Sequence, residues 1–403
     1  MNVDYLIIGA GVAGTTAAET IRARDERGSI VLVGDEPHPL YSRVMLPMVV
    51  DRRIPAEKAY LKTDEWYASA RIEYLRGRRV SALDAATHRA TLDDGTEIVF
   101  GKALIATGGR PKRLDVPGER LDGVYRLQTL DDATAVRDSV RGPAVVVGGG
   151  FIALEFVNGF MHYGLKTTVC LRNHSFWSRH LDATGSALLE RHLAAKGVKI
   201  MKDVVPLAFI GDTRVEGVKL SNGESIPCAS IGIGIGLEPN VHAADTVARS
   251  AHGVLADEYL TTSAPEVYAA GDIADFEDVL AGHRHVLGNW MNAKEQGRVA
   301  GLNMAGERTR YERVSSYSVT ALGLNVAFVG DVGSEGNETI ARGDGETSYA
   351  SLIIRDGKLR GGVFLNRVAD RGPCAELIKS GKDVSAFRKE LADTNFDLKS
   401  LLQ

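Results

Sequence analysis

Twice in this chain a run of apolar, strand-forming residues ends in closely spaced glycines and then opens into a helical pattern. The first is Tyr5-Leu6-Ile7-Ile8 followed by Gly9-Ala10-Gly11-Val12-Ala13-Gly14. The second is Ala144-Val145-Val146-Val147 followed by Gly148-Gly149-Gly150-Phe151-Ile152-Ala153. Glycines at that spacing permit a tight turn and bring bare backbone N–H groups to a helix N-terminus, where a pyrophosphate binds. Two such turns in one chain imply two dinucleotides. A pair of dinucleotides is what a chain needs to pass a hydride from one cofactor to another.

The segments around each turn complete a strand–helix–strand grammar. After the first, Ala13, Ala17, Ala18 and Ile21 share one helical face, and the next strand, Ser29 to Val33, ends at Gly34-Asp35-Glu36. Those acids lie about 20 residues past the glycines, where a ribose hydroxyl pair is met. After the second, a helix is expected across 151–163 and a strand at 166–171. Repeated units of this kind imply parallel sheets and an α/β class. Between them, 90–92 and 97–100 read as hairpin strands about the turn Asp93-Asp94-Gly95-Thr96. Small-residue turns close three further strands, at Ala106-Thr107-Gly108-Gly109, at 231–236 and at 267–272. After about residue 310 the style changes to a hairpin, 349–354 with 359–365, and a helix near 374–380.

With 403 residues the chain is long enough for two or three domains, and a net charge of −4 gives no basic footprint for nucleic acid. Met1-Asn2-Val3-Asp4 runs straight into a strand, so no signal peptide is expected, and no apolar run reaches the roughly 18 residues of a spanning helix. Cys170, Cys228 and Cys374 are widely separated and form no CxxC or CxxxxC pair. That argues against a redox disulfide or cysteine metal site and makes a reducing cytoplasm the default compartment. His283 and His285 flank Arg284 with the i, i+2 spacing of a strand metal pair. With no third ligand in view they read as a solvated loop, and no metal site is expected.

In chain order, Gly9-x-Gly11-x-x-Gly14, Ala106-Thr107-Gly108, Gly148-x-Gly150-x-x-Ala153, Gly234-x-Gly236-x-x-Pro239-Asn240 and Ala270-Gly271-Asp272 resemble the FAD-dependent NAD(P)H reductases of the two-dinucleotide, pyridine nucleotide-disulfide oxidoreductase-like family. A lone GxGxxG is weak; five elements in this order are specific. The resemblance is greatest to rubredoxin and ferredoxin reductases and to the reductase portion of nitrite reductases. Pro37 to Arg43 and the segment ending Trp177-Ser178-Arg179-His180-Leu181-Asp182 carry it. It implies an α/β fold of two Rossmann-like, glutathione-reductase-like dinucleotide-binding domains plus a small C-terminal α+β domain. The implied boundaries are 1–112 with 241–310 for FAD, 113–240 for NAD(P), and 311–403 for acceptor docking or dimerisation.

The same resemblance places site residues. For FAD they are Gly9, Gly11, Val12, Ala13 and Gly14 at the pyrophosphate; Asp35 or Glu36 at the ribose; Arg43 as counter-charge; and the Val80 backbone at adenine. Ala106, Thr107 and Gly108 belong to the same site, as do Arg126 beside the flavin, Gly271 and Asp272 at the ribityl chain, and Trp290 and Met291 at a helix N-terminus under the flavin. Asp272 is expected at the start of a helix. For NADH or NADPH they are Gly148, Gly150, Phe151, Ile152, Glu155 near the nicotinamide, Arg172, and Gly236 as bare backbone. Glu155 and Arg126 are the catalytic candidates. Ordinary roles stand beside these: a surface arginine for Arg43, an interface salt bridge for Arg126, a helix cap for Asp272, core packing for Trp290 and Met291, and a solvent-facing helix position for Glu155.

Departures from the family narrow the reading. Met48 stands where ferredoxin reductases of aromatic oxygenases carry a lysine, and the Trp-rich segment usual near Ser315-Ser316-Tyr317 is missing. No cysteine lies around Ser42, so electrons are expected to leave without a protein thiol. Leu171 replaces the acid favoured by NAD-specific sites, with Arg172 and His174 following. The chain ends before any sirohaem or iron–sulfur module. The expectation is a cytoplasmic, stand-alone reductase, with no membrane span and a possible homodimer contact. Its acceptor would be a small carrier such as ferredoxin or rubredoxin, or a nitrite reductase partner. Oxygen, quinone or sulfur-compound reduction, and nucleotide sensing without catalysis, are the alternatives.

Overall fold

Leu6, Ile7 and Ile8 are almost wholly buried, which suits a strand covered on both faces of a parallel sheet. The computed structural model, which describes residues 1–178, 180–333 and 336–402, places them in β1 (Asn2–Ile8). The chain then forms α1 (Val12–Arg24), β2 (Ile30–Gly34), β3 (Ile72–Arg76), β4 (Val80–Asp84), β5 (Arg89–Leu92) and β6 (Glu97–Ile105). The strand order is β3-β2-β1-β6-β5-β4. β1 runs parallel to both neighbours, pairing Ile8 with Val33 and with Ile105. The sequence reads β6 as two pieces around Gly101, yet it is one strand. Gly101 belongs there because a side chain at that point would crowd the Asp4 carbonyl at 2.9 Å.

The second strand–helix–strand unit is β7 (Ala144–Val147), α2 (Phe151–His162) and β8 (Thr167–Cys170), and β9 (Ser230–Ile233) joins β7 on its other side. All these pairings are parallel. β10 (Val267–Ala269) then adds to the end of β6, pairing Ala269 with Ile105, and α3 (Trp290–Met304) packs on α1. The C-terminal stretch forms an antiparallel sheet of β11 (Ser316–Ala321), β12 (Leu324–Gly330), β13 (Glu338–Gly343), β14 (Tyr349–Arg355) and β15 (Lys358–Leu365), followed by α4 (Arg371–Ser380). Its order is β11-β12-β15-β14-β13.

By packing, the chain divides into two compact units. The first is Met1–Val44, Glu57–Arg110 and Leu237–Arg313; the second is Met45–Ala56, Pro111–Gly236 and Val314–Gln403. The first contains the sheet of β1 and one large core. The second contains the sheet of β7 and the C-terminal antiparallel sheet, with separate cores. One local expectation is corrected. His283 and His285 lie on a short strand, His283–His285, that pairs antiparallel with Ala274–Asp278, and His285 Nε2 is 3.0 Å from an Asp278 carboxylate oxygen. The alternation that hinted at a strand outweighed the loop reading.

Helices α1 and α3 approach so closely that α3 has no room for a side chain at Gly297 or Gly301. A Cβ on Gly297 would fall 2.2 Å from the Ala13 carbonyl oxygen, and one on Gly301 would fall 2.8 Å from that of Ala17. Gly297→Ala is therefore expected to overpack the first unit and lower its unfolding free energy by about 1–3 kcal/mol. Urea denaturation of the variant against the parent protein checks this.

Candidate functional site

Each glycine turn is held by the same two backbone hydrogen bonds. In the first unit, Gly9 N–H donates to Val33 O at 2.8 Å and Ala106 N–H donates to Ile8 O at 2.7 Å. Gly9 has φ +109, and a Cβ there would strike Ala106 O at 2.2 Å. Gly14 has no room either, because its Cβ would sit 1.9 Å from Gly9 O. Gly11 differs: nothing lies within 4 Å of where its Cβ would stand. It is the N-cap of α1 and makes no side-chain cap, and the first turn carries no acid. The leading N–H groups of α1, on Val12, Ala13 and Gly14, are thus left facing a space that suits an anion.

The other candidates of the first unit gather around that turn. Glu36, just beyond β2, pairs with Arg43 at 2.5 Å and accepts from the Tyr41 hydroxyl. Asp35 is exposed and stands 3.5 Å from Arg79. Burial opposes the Arg43 charge, yet Tyr41, Glu36 and Asp272 together raise its pKa. Asp272 is itself pushed up to about 6 by desolvation, against the pull of Arg43. It is not at a helix start as expected. It lies in a turn closed by Ala274 N–H to Gly271 O at 2.9 Å, which leads into the strand Ala274–Asp278. Gly271 needs φ +83 to make that turn, and a strand follows because Ala274 and Phe276 are core residues.

Thr107 is fixed by two bonds with Asn240, Oγ1 to Asn240 O at 2.7 Å and Asn240 Nδ2 to Thr107 O at 3.0 Å. That leaves Ala106 and Gly108 as backbone. Val80 is buried at the start of β4. Asn289 caps α3 by accepting from Asn292 N–H at 2.9 Å, which places half-buried Trp290 and exposed Met291 in its first turn, with no acid there. Trp290 also packs on the main core, so its ordinary role is real. Sequence reasoning missed Gln296. This fully buried side chain accepts from Gly271 N–H at 2.7 Å and leaves its Nε2 donor without a partner. Its only signal was a polar residue on the apolar face of α3.

The second unit repeats the frame. Gly148 N–H donates to Cys170 O at 3.1 Å, and Gly234 N–H donates to Val147 O at 2.8 Å. Gly148 has φ +122, and its Cβ would strike Gly234 O at 2.1 Å. Gly150 caps α2 with no side-chain bond, and again nothing lies within 4 Å of its Cβ position. The N–H groups of Phe151, Ile152 and Ala153 lead that helix. Gly236 has φ +99 and equally open space beside it. Leu171 is buried, while Arg172 and His174 are exposed beyond β8. Arg179, part of the nearby family-like segment, lies outside the described residues.

Glu155 sits one turn into α2, half-buried. Desolvation pushes its carboxyl up to about 7, only partly countered by Asn158 and Arg53, while Asp51 adds to the rise. Asn158 Nδ2 stands 3.5 Å from Glu155 and donates to Thr320 O at 2.6 Å. Arg53 is anchored on Asp51 at 2.7 Å. Neither Asp51 nor Arg53 was legible as a partner of Glu155, because a hundred-odd residues of sequence separate them. Arg126 belongs to this second unit, unlike the rest of the proposed FAD set. It pairs with Glu119, whose carboxylate also accepts from Leu114 N–H at 2.8 Å and Asp115 N–H at 3.0 Å. The Arg126 Nε is buried with no partner.

Both units fit dinucleotides on their own geometry. Each offers an uncapped helix N-terminus, a positive-φ glycine backed by a carbonyl, and an open space where the middle glycine lacks a side chain. The first adds Arg43, Asp272 and the unsatisfied Gln296 donor, a set that suits FAD. The second adds the desolvated Glu155 and the bare Gly236, a set that suits a nicotinamide nucleotide.

Comparison with known proteins agrees. Residues 3–297 match the family described as pyridine nucleotide-disulphide oxidoreductase. The chain is 30% identical over 406 residues to the biphenyl dioxygenase system ferredoxin–NAD(+) reductase component of Paraburkholderia xenovorans, covering 98% of each. It is 27% identical to the nitrite reductase [NAD(P)H] of Bacillus subtilis, covering 96% of this chain and 48% of that protein. The structure of a covalent putidaredoxin reductase–putidaredoxin complex superposes with a TM-score of 0.93 at 26% identity, covering 99% of this chain and 98% of that one. A family match across most of the chain, with a relative similar over its full length, means that the chain belongs to the pyridine nucleotide-disulphide oxidoreductase family, as an FAD-dependent enzyme that takes electrons from NAD(P)H.

Proposed function

We propose that the chain is an NAD(P)H:carrier reductase, with FAD held at the Gly9–Gly14 turn, the nicotinamide nucleotide at the Gly148–Ala153 turn, and a small one-electron carrier as acceptor. The observation that carries this reading is the pair of matching turns with open space at Gly11 and Gly150. In functional terms the proposal divides the chain as 1–112 with 241–310 for FAD, 113–240 for NAD(P), and 311–403 for carrier docking or a dimer contact. When bound, FAD supplies the chemistry, taking two electrons from NAD(P)H and releasing them to the acceptor.

The chain's own residues bind, orient and tune. The α1 N–H groups and Arg43 hold the FAD pyrophosphate, and Glu36 or Asp35 accepts from ribose hydroxyls. Val80 offers backbone to adenine. Ala106, Thr107 and Gly108 bring bare backbone close to the cofactor, and Asp272 and Gly271 meet the ribityl chain. The α3 N-terminus at Trp290 and Met291 favours negative charge on the ring. In the second unit, the α2 N–H groups of Phe151 and Ile152, with Gly236 and Arg172, hold the nucleotide. Glu155, whose carboxyl is pushed up to about 7, changes charge across the neutral range and can accept or release a proton near the nicotinamide. Arg126 is the second catalytic candidate, steadied by Glu119.

An external carrier is favoured over a thiol relay by the cysteines. All three are buried and unpaired, and burial pushes the thiols of Cys170 and Cys228 up to about 11 and 12. Thiolates, the reactive form, are therefore scarce. The same free thiols favour a reducing cytoplasm, and no helix among the described residues is long and apolar enough to cross a membrane. Relatives named as ferredoxin reductases point to the same acceptor class. After anaerobic reduction by NADH or NADPH, mixing with a ferredoxin or rubredoxin is expected to reoxidise the flavin faster than mixing with oxygenated buffer. Faster reoxidation by oxygen than by every carrier overturns this acceptor.

The two turns predict a separation of effects. Gly11→Ala meets no clash, so the protein folds with parental stability but retains FAD about tenfold or more weakly. Gly150→Ala is expected to keep its FAD and raise the KM for NAD(P)H by a similar factor. Bound flavin absorbance and steady-state kinetics read the two apart.

Glu155 predicts a pH signature. Below its ordinary pKa of 4.5 both folded and unfolded chains carry the proton. Between there and about 7 the unfolded chain ionises and the folded one does not, so stability falls as pH rises, and above that the loss is complete. Glu155→Gln should therefore gain melting temperature relative to the parent from pH 5 to pH 8. The rate of reduction by NAD(P)H should lose an inflection near 7 in the same variant.

A further inference from the structure

Trp177 stands in an unusual state. Its φ is +46, a left-handed backbone that bulky residues rarely adopt. The residue is 6% exposed, and its indole Nε1 is buried with no acceptor. Strain and an unmade hydrogen bond both work against this conformation, so other contacts must hold it.

Those contacts are aromatic, and they converge on the second glycine turn. The Trp177 ring packs on Phe151 at 5.0 Å and on Phe328 at 5.1 Å. Phe151 also meets Tyr317 and Phe328 edge-on, each at 5.0 Å, and Tyr317 stacks on Phe328 at 5.2 Å. Such pairs favour these offset and edge geometries. Phe151 is the first residue of α2. The Trp177 backbone N–H donates to the carbonyl of Gly149 at 3.2 Å. The box therefore grips both residues that flank Gly150, whose side-chain position is open. Gly149 is pressed from its other side by Leu171 and Phe176, within 2.9 Å and 3.5 Å of its Cβ position.

We propose that Trp177 is a positioning residue for the nicotinamide nucleotide, fixing the turn at Gly149–Phe151, and that Tyr317 and Phe328 of the C-terminal sheet hold Trp177 in place. This rests on the reading of that turn as the NAD(P) site. The C-terminal sheet then contributes to nucleotide affinity as well as to any docking surface. Tyr317 acts on the turn through its ring contacts with Phe151 and Phe328.

The experiment measures kcat and KM for NADH and NADPH with ferricyanide as acceptor, FAD content, melting temperature, and NADP+ and NAD+ affinity by titration. Trp177→Leu is expected to raise nucleotide KM about tenfold, with kcat within about twofold of the parent and FAD content unchanged. Tyr317→Leu is expected to shift KM the same way by several-fold. The double variant is expected to fall short of the product of the two, since both act through one box. Trp177→Phe keeps an aromatic ring and is expected to return KM to within about twofold of the parent. Lowered melting temperatures with unchanged KM in both leucine variants overturn the proposal, as does a Trp177→Phe protein that behaves like Trp177→Leu. If Trp177→Leu does not fold, Tyr317→Leu and Trp177→Phe decide alone. A parent protein that binds neither nucleotide overturns the site reading itself, which distinguishes the two failures.

Discussion

The structure turns on one contact made twice: a carbonyl oxygen pressed against the first glycine of a strand-to-helix turn. At the first turn the oxygen is that of Ala106, at the second that of Gly234, and a Cβ on the facing glycine would come within 2.2 Å and 2.1 Å. The oxygen's own residue is fixed by a backbone bond to the strand that leads into the turn, Ala106 to Ile8 and Gly234 to Val147. The strand after the turn is fixed in the same way, through Val33 to Gly9 and Cys170 to Gly148. A positive φ at Gly9 and Gly148 is then forced, and the helix starts with free N–H groups aimed at one place. Everything built around a pyrophosphate depends on that restraint.

The two turns reach similar closeness with their second bare residue in different places. In the first, the helix gives way: Gly14 lacks a side chain because Gly9 O lies 1.9 Å from its Cβ position, and the facing strand keeps Ala106. In the second, the helix keeps Ala153 and the strand gives way: Gly234 is bare because a Cβ there would meet Ala153 N at 2.5 Å. At the second turn the helix thus accepts an alanine at its third fingerprint position, and the bare residue of the facing strand is Gly234, crowded by the backbone of Ile152 and Ala153.

What the sequence revealed follows from range. The turns, their strands and the helix faces were legible because the restraints act within a few residues. The strands themselves followed from continuous apolar runs, and the C-terminal hairpin from the turn at 355–358, whereas the pairing of β1 with β6 is known only from the structure. Asp272 lies in the expected small-residue turn, but a strand follows it and not a helix. A small-residue turn ending in an acid reads equally as a helix cap, and only burial of the following residues makes it a strand. The partners were not legible at all. Asn240 bound to Thr107, Gln296 to Gly271, and Arg53 beside Glu155 are long-range neighbours, and no periodicity records them. The same holds for Phe151. It reads as one residue of a fingerprint, yet its ring belongs to a box completed by β11 and β12.

Electrostatics gives the two units a common trait that packing alone does not require. Each holds one carboxyl that its surroundings solvate poorly, Asp272 pushed up to about 6 and Glu155 to about 7. Each has a cation within influence that fails to offset the desolvation, because that cation is committed elsewhere: Arg43 to Glu36 and Arg53 to Asp51. A fold selected only for stability would replace such carboxyls with apolar side chains, since an undersolvated acid costs free energy and gains none. Groups poised between charge states beside the open ends of two helices have the properties that a site handling charge and protons requires. The committed cations keep them poised: full pairing would lower both carboxyls and fix them as anions.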